Sequence, residues 1–115
     1  MRGLLALVLC CAPALAVAPE PAQVDATVRA LAERSPLLHY RLAGCSPGGR
    51  PIPLVIVTAR PNELQQQLRV LVIARQHGYE AAPAKAALRW LRVCAEQGGP
   101  FDRLAVFCLP TLNPD

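Results

Sequence analysis

Apolar positions along this chain follow two periods. Val24, Val28 and Leu31, with Ala32 beside Leu31, are spaced as one face of a helix, and Pro36 ends it because proline disfavours helical geometry at Ser35. Pro19 to Gln23 reads as a linker ahead of that helix. Leu37 to Ala43 then alternates as a strand, with Tyr40 and Leu42 on one side. Gly44-Cys45-Ser46-Pro47-Gly48-Gly49 has the composition of a turn, and Leu54 to Val57 supplies a second strand, so the pair predicts a hairpin. Pro53 lacks an N–H and belongs at a strand start or on an edge. Arg60-Pro61-Asn62-Glu63 breaks the chain, and Gln65 to Gln67 is a polar connection.

The second half reads as strand, helix, strand. Val70 to Ala74 is apolar at every residue, which predicts burial on both faces in the centre of a covered sheet. Pro83 suits a first helical turn. The stripe Ala84, Ala87, Leu88, Leu91, Cys94 and Ala95 faces inward, opposite Lys85, Arg89, Arg92 and Glu96, and Gly98-Gly99 stops the helix. Leu104 to Leu109 is a further buried strand. Strand, helix and strand make a βαβ unit, so the fold class is α/β, in three layers. Ligands of such sheets gather outside the carboxyl ends of the strands, which directs attention to the turn after Ala74.

Composition alters this picture at the N-terminus. Of 115 residues, 53% are hydrophobic, and part of that excess lies in residues 1–18. Arg2, the apolar stretch Leu4 to Leu9 running on through Cys10, Cys11 and Ala12, and the small-x-small triplets Ala14-Leu15-Ala16 and Ala16-Val17-Ala18 read as a secretory signal. The stretch is shorter than the ~20 residues of a spanning helix, so the expectation is a secreted or periplasmic protein with no membrane segment after cleavage near Ala16 or Ala18. The remainder is one domain at most. Loss of Arg2 takes one unit from a formal charge of +4, and the arginines are scattered, with aromatics at 4%. A nucleic-acid surface needs clustered basic groups and stacking rings, so nucleic acid is not expected as a partner. Cys45, Cys94 and Cys108 remain beyond the signal. Their spacing matches no cysteine metal site, and one disulfide with a free thiol or three buried thiols are both open.

The turn Arg75-Gln76-His77-Gly78-Tyr79-Glu80 concentrates the candidate chemistry. A strand-end His and a helix-start Glu can converge on one zinc ion if the intervening turn is tight, and Gly78 permits that. Catalytic zinc keeps three protein ligands and one open position, with His₂Glu a recurring set. Two of the three are present. His39, in the first strand, is assigned a structural or surface role. Asp102 and Asp115 are not placed by spacing. Ser46 leads into a strand and not a helix, so a turn role outweighs a nucleophile or phosphate loop.

From Leu37 to Asp115 the chain resembles the start of a zinc carboxypeptidase of the carboxypeptidase A-like family. The landmarks are Gly44-x-Ser46-x-x-Gly49-Arg50-x-Ile52 entering a strand, His77-Gly78-Tyr79-Glu80 after the next, and Asn113-Pro114-Asp115 after the last. The resemblance implies an α/β/α sandwich with a mixed sheet, of which this chain is the N-terminal portion. Residues 1–18 would be signal, 19–36 linker and N-terminal helix, and 37–115 the first part of the catalytic domain. It further implies one Zn²⁺ held by His77 and Glu80, with a second His, a general-base Glu and substrate-binding Arg and Asn beyond Asp115. No catalytic residue is therefore assigned within the chain.

Substrates implied by the resemblance are peptides or amino-acid conjugates. With two ligands and no base, the chain alone is expected to be inactive. Tyr79 departs from the Arg of digestive members and points to a bacterial-type exported one. A related deacylase branch shares the HGxE segment but generally lacks the Gly-Arg-Pro-Ile turn, and ranks second. A non-catalytic binding module with His77 and Glu80 as a polar turn is the remaining alternative. If Val106 to Leu109 is an inner strand, an exposed apolar edge and poor solubility follow.

Overall fold

The computed structural model describes residues 20–115, so the expected signal segment lies outside the described residues. In chain order the elements are α1 (Pro21–Arg34), β1 (Leu38–Cys45), β2 (Pro51–Val57), a 3₁₀ turn (Leu64–Gln66), β3 (Leu68–Ile73), α2 (Ala81–Gln97) and β4 (Leu104–Leu109). Helix α1 starts at Pro21, inside the stretch expected to be linker. Proline fits the first helical position, where no N–H is needed, and the Glu20 N–H donates to Gln23 Oε1 at 3.0 Å. Its buried residues include Val24, Val28 and Leu31, as their spacing predicts.

The sheet order is β1-β2-β4-β3. β1 and β2 form the expected antiparallel hairpin, β2 and β4 are antiparallel, and β3 and β4 are parallel across α2. The sheet is therefore mixed. Register assigns the faces. Leu38 opposes Val57 and Tyr40 opposes Val55, while Val55 and Val57 oppose Cys108 and Val106, so all six share one face. Val28 and Leu31 of α1 and Ala87, Leu91 and Cys94 of α2 pack on that same face in one core. The two helices also touch each other. Among the described residues the α/β fold thus has one helical layer on one side of the sheet. The other side, with Leu54, Ile56, Phe107, Leu109, Leu71 and Ile73, carries no helix.

This arrangement corrects the reading of Val70 to Ala74 as a central strand. Among the described residues β3 pairs only with β4 and stands at an edge of the sheet, with Leu68 71%, Leu71 61% and Ile73 47% exposed. Continuous apolarity records a strand suited to cover on both faces; among the described residues Leu71 and Ile73 lie on the face without a helix, and on the helical face cover reaches Val72 but leaves Leu68 and Val70 exposed. The exposed edge likewise belongs to β3 and not to β4, which is inner and flanked by β2 and β3. An open apolar groove of about 520 Å³, lined by Val72, Ile73, Pro83, Trp90 and Val93 among others, lies between β3 and α2.

Polar contacts tie the layers. Tyr40 donates to Asp25 Oδ1 at 2.8 Å, and Arg29 donates to Asp25 Oδ2 and to the Tyr40 hydroxyl, so α1 is pinned to β1. At the amino end of β3, buried Thr58 donates to Gln67 Oε1 at 2.9 Å, and Gln67 Nε2 donates to the Phe101 carbonyl at 3.0 Å. His39 Nε2 reaches the Thr58 carbonyl at 3.0 Å, which gives that histidine a structural contact between β1 and the end of β2. Cys45, Cys94 and Cys108 are all free thiols, the first exposed and the other two buried. Burial pushes the Cys94 thiol up to about 11 and the Cys108 thiol up to about 12, so both stay protonated at neutral pH.

Candidate metal centre

Because β3 and β4 are parallel, their carboxyl ends lie side by side, and the antiparallel β2 starts at that same end of the sheet. Three loops therefore meet there: the hairpin turn 46–50, the turn 74–80 and the segment 110–115. The last two run on as a short extension of the ladder. The Ala74 N–H donates to Leu109 O, the Leu112 N–H to Ala74 O and the Asn113 N–H to Arg75 O, at 2.9 to 3.0 Å. Arg75 has φ 46°, a left-handed conformation uncommon for a residue with a side chain. Its Nε donates back to the Gly78 carbonyl at 2.8 Å, so the chain reverses tightly directly after the strand.

That reversal brings the two predicted ligands together. His77 Nδ1 and Glu80 Oε2 stand 3.2 Å apart, with the side chains 58% and 43% exposed. The Glu80 N–H donates to the His77 carbonyl at 3.1 Å, and Glu80 is the residue directly before α2, with no side-chain bond to the helix start. Tyr79 stacks on the His77 ring, centroids 5.7 Å apart and planes within 6°, and is 84% exposed.

Zinc bonds of about 2.0–2.2 Å at tetrahedral angles separate two donors by roughly 3.3–3.6 Å. An imidazole nitrogen and a carboxylate oxygen 3.2 Å apart fit such an ion with a shift of tenths of an ångström. The pair is open to solvent on one side. No group of three His, Cys, Asp or Glu suited to a metal occurs among the described residues.

Sequence spacing left Asp115 unplaced, and the structure gives it the most connected carboxylate at this end of the sheet. It accepts from Ser46 Oγ at 2.7 Å, Arg50 Nη1 at 2.7 Å and the Gly48 N–H at 3.0 Å. Ser46 Oγ in turn accepts the Arg50 N–H at 3.1 Å, which bears out its turn role. A Cβ on Gly48 would stand 2.6 Å from Asp115 Oδ1, so glycine is needed for this contact to close. A Cβ on Gly78 would stand 3.2 Å from the Asp115 backbone carbon, which shows how closely the two loops pass. No local signal could reveal these contacts, whose partners lie 65 to 69 residues apart.

Hydrogen bonds from Ser46, then Arg50 and the Gly48 N–H, hold the Asp115 carboxyl below the usual carboxylate range. A depressed native value contributes stability that is complete above the unfolded-state value and is lost as pH falls through the native one. Urea melts from about pH 5 downward should therefore show a loss of stability that Asp115→Asn lacks. Equal pH dependence in both proteins would contradict this.

A family model for zinc carboxypeptidases matches residues 24–115. The chain belongs to the zinc carboxypeptidase family. No curated protein matches it. Among solved structures, carboxypeptidase A from Helicoverpa armigera superposes with a TM-score of 0.74 at 21% identity, over 82% of this chain and 24% of that one. A metallo-carboxypeptidase from Burkholderia cenocepacia gives 0.69 at 23% identity, over 82% and 27%. Bovine thrombin-activatable fibrinolysis inhibitor, solved in complex with a tick carboxypeptidase inhibitor, gives 0.69 at 15% identity, over 84% and 31%. These likenesses establish a carboxypeptidase fold, and the chain spans about a quarter to a third of the length of these structures. The family match begins inside α1, so the helix expected to precede the domain is matched together with it.

Proposed function

We propose that residues 37–115 are the first part of a zinc carboxypeptidase catalytic domain that hydrolyses C-terminal peptide bonds, and that His77 and Glu80 are its first two zinc ligands. The observation that carries this reading is the 3.2 Å approach of His77 Nδ1 to Glu80 Oε2 at the carboxyl end of β3, in a chain of the zinc carboxypeptidase family. With the ring proton on Nε2, the lone pair of Nδ1 faces the carboxylate and both donors can serve one cation. Zinc bound there would polarise a scissile carbonyl and acidify a water. The chain's own part is to hold two donors in the tight turn between β3 and α2 and leave them open to peptide. The full domain would take peptides as substrates. Residues 1–18 are proposed to direct export, which the mass of a secreted product cut after Ala16 or Ala18 would test.

Two donors without a general base make a weak and unproductive centre, so the 115-residue chain with added zinc should release no C-terminal amino acid from peptides. The chain should nevertheless compete with a weak chromophoric chelator for zinc in a way that His77→Ala and Glu80→Ala each abolish. Undiminished competition in both variants would overturn the ligand assignment. Zinc-dependent peptide hydrolysis by the chain itself would overturn the inactivity. In a longer polypeptide containing residues 24–115, cleavage of N-acyl amino acids in place of peptides would favour a deacylase.

A further inference from the structure

We infer that Asp115 is a positioning residue for the metal centre, and that with Ser46 and Arg50 it clamps the hairpin turn to the loop that carries His77. The inference rests on the reading of His77 and Glu80 as metal ligands.

Three observations carry it. The segment 112–115 packs along the loop 74–78, through the Leu112 and Asn113 N–H donors and the close approach of Gly78 to the backbone of Asp115. That segment follows the end of β4. What fixes it is the Asp115 carboxylate, which accepts from Ser46, Gly48 and Arg50, while the Asp115 N–H donates to Asn113 Oδ1 at 3.2 Å. The hairpin turn is itself closed by Ser46, whose N–H donates to Arg50 O and whose carbonyl accepts from the Gly49 N–H, both at 2.9 Å. A rigid turn therefore holds a carboxylate, the carboxylate holds a segment, and the segment forms the wall against which Gly78 sits between the two ligands.

The chemistry makes a carboxylate the right group. It has four lone-pair sites, enough for all three donors, and Arg50 neutralises its charge. With the clamp open, the wall behind Gly78 moves, and a cation must order the loop as it binds. Partners that orient metal ligands are worth about 10–100-fold in affinity, and this one acts one step further out, so about tenfold is expected.

The test is Co²⁺ titration of the full chain, read by paramagnetic broadening of the His77 ring and Gly78 amide resonances. Wild type should show broadening that His77→Ala removes. Asp115→Asn and Ser46→Ala should each raise the midpoint about tenfold at temperatures far below melting, and Ser46→Thr, which keeps the hydroxyl, should restore it. Midpoints in Asp115→Asn and Ser46→Ala within about threefold of wild type would overturn the inference while leaving the ligand assignment intact. Absence of any His77-dependent broadening in wild type would overturn the ligand assignment and this inference with it.

Discussion

Leu91→Ala should destabilise the chain by about 3 kcal/mol in urea melts, within the usual span for a fully buried leucine cut to alanine. Leu91 is completely buried in α2 and belongs to the one core that both helices and the sheet share. Its neighbours there are held by a mixed sheet and by a second helix, so the vacated space cannot collapse readily. A domain of this size has a total stability of ~5–10 kcal/mol, and with one sheet face uncovered among the described residues it stands at the low end. From a starting stability of about 5 kcal/mol, that loss raises the unfolded fraction roughly 150-fold, to a few per cent. A loss below about 1 kcal/mol would mean that α2 is not packed as described.

Leu71→Lys combined with Ile73→Lys should convert a self-associating chain into a predominantly monomeric one. Both side chains point to the sheet face that carries no helix, opposite Phe107 and Leu109, and both are about half exposed. They sit on an edge strand with one free side, beside the open groove between β3 and α2, and such an edge is a template for pairing between copies. Burying half of each side chain in an association is worth about 2 kcal/mol in total, so the concentration at which self-association sets in should rise roughly thirtyfold. Sedimentation velocity across a concentration series reads the change. A wild-type chain that stays monomeric at high concentration, or a variant that associates equally, would contradict this account of β3.

The two helices, the hairpin and the βαβ order were legible because each rests on a local period: 3.6 for the stripe through Leu91, 2 for Tyr40 and Leu42, and Gly-rich turns between them. The edge position of β3 was not. Five consecutive apolar residues report what a strand is suited to, and they carry no information on whether a covering layer is in place. The start of α1 at Pro21 falls inside a stretch that reads as a linker until the first-turn tolerance of proline is applied to it. At the site, His77 and Glu80 were legible because a single glycine-containing turn brings them together, a contact within four residues. Asp115 and its donors were not, because they meet only through the strand order β1-β2-β4-β3, which no local pattern encodes.

The mixed sheet sets His77, Glu80 and the Asp115 clamp at one end, and everything proposed about activity depends on a cation sitting between the first two. Crystals of the full chain soaked in zinc, with data collected on both sides of the zinc absorption edge, test this most directly. An anomalous peak between His77 Nδ1 and the Glu80 carboxylate is expected, and it should vanish in crystals of His77→Ala. Zinc located only elsewhere, at Cys45 or His39 for example, would contradict the assignment.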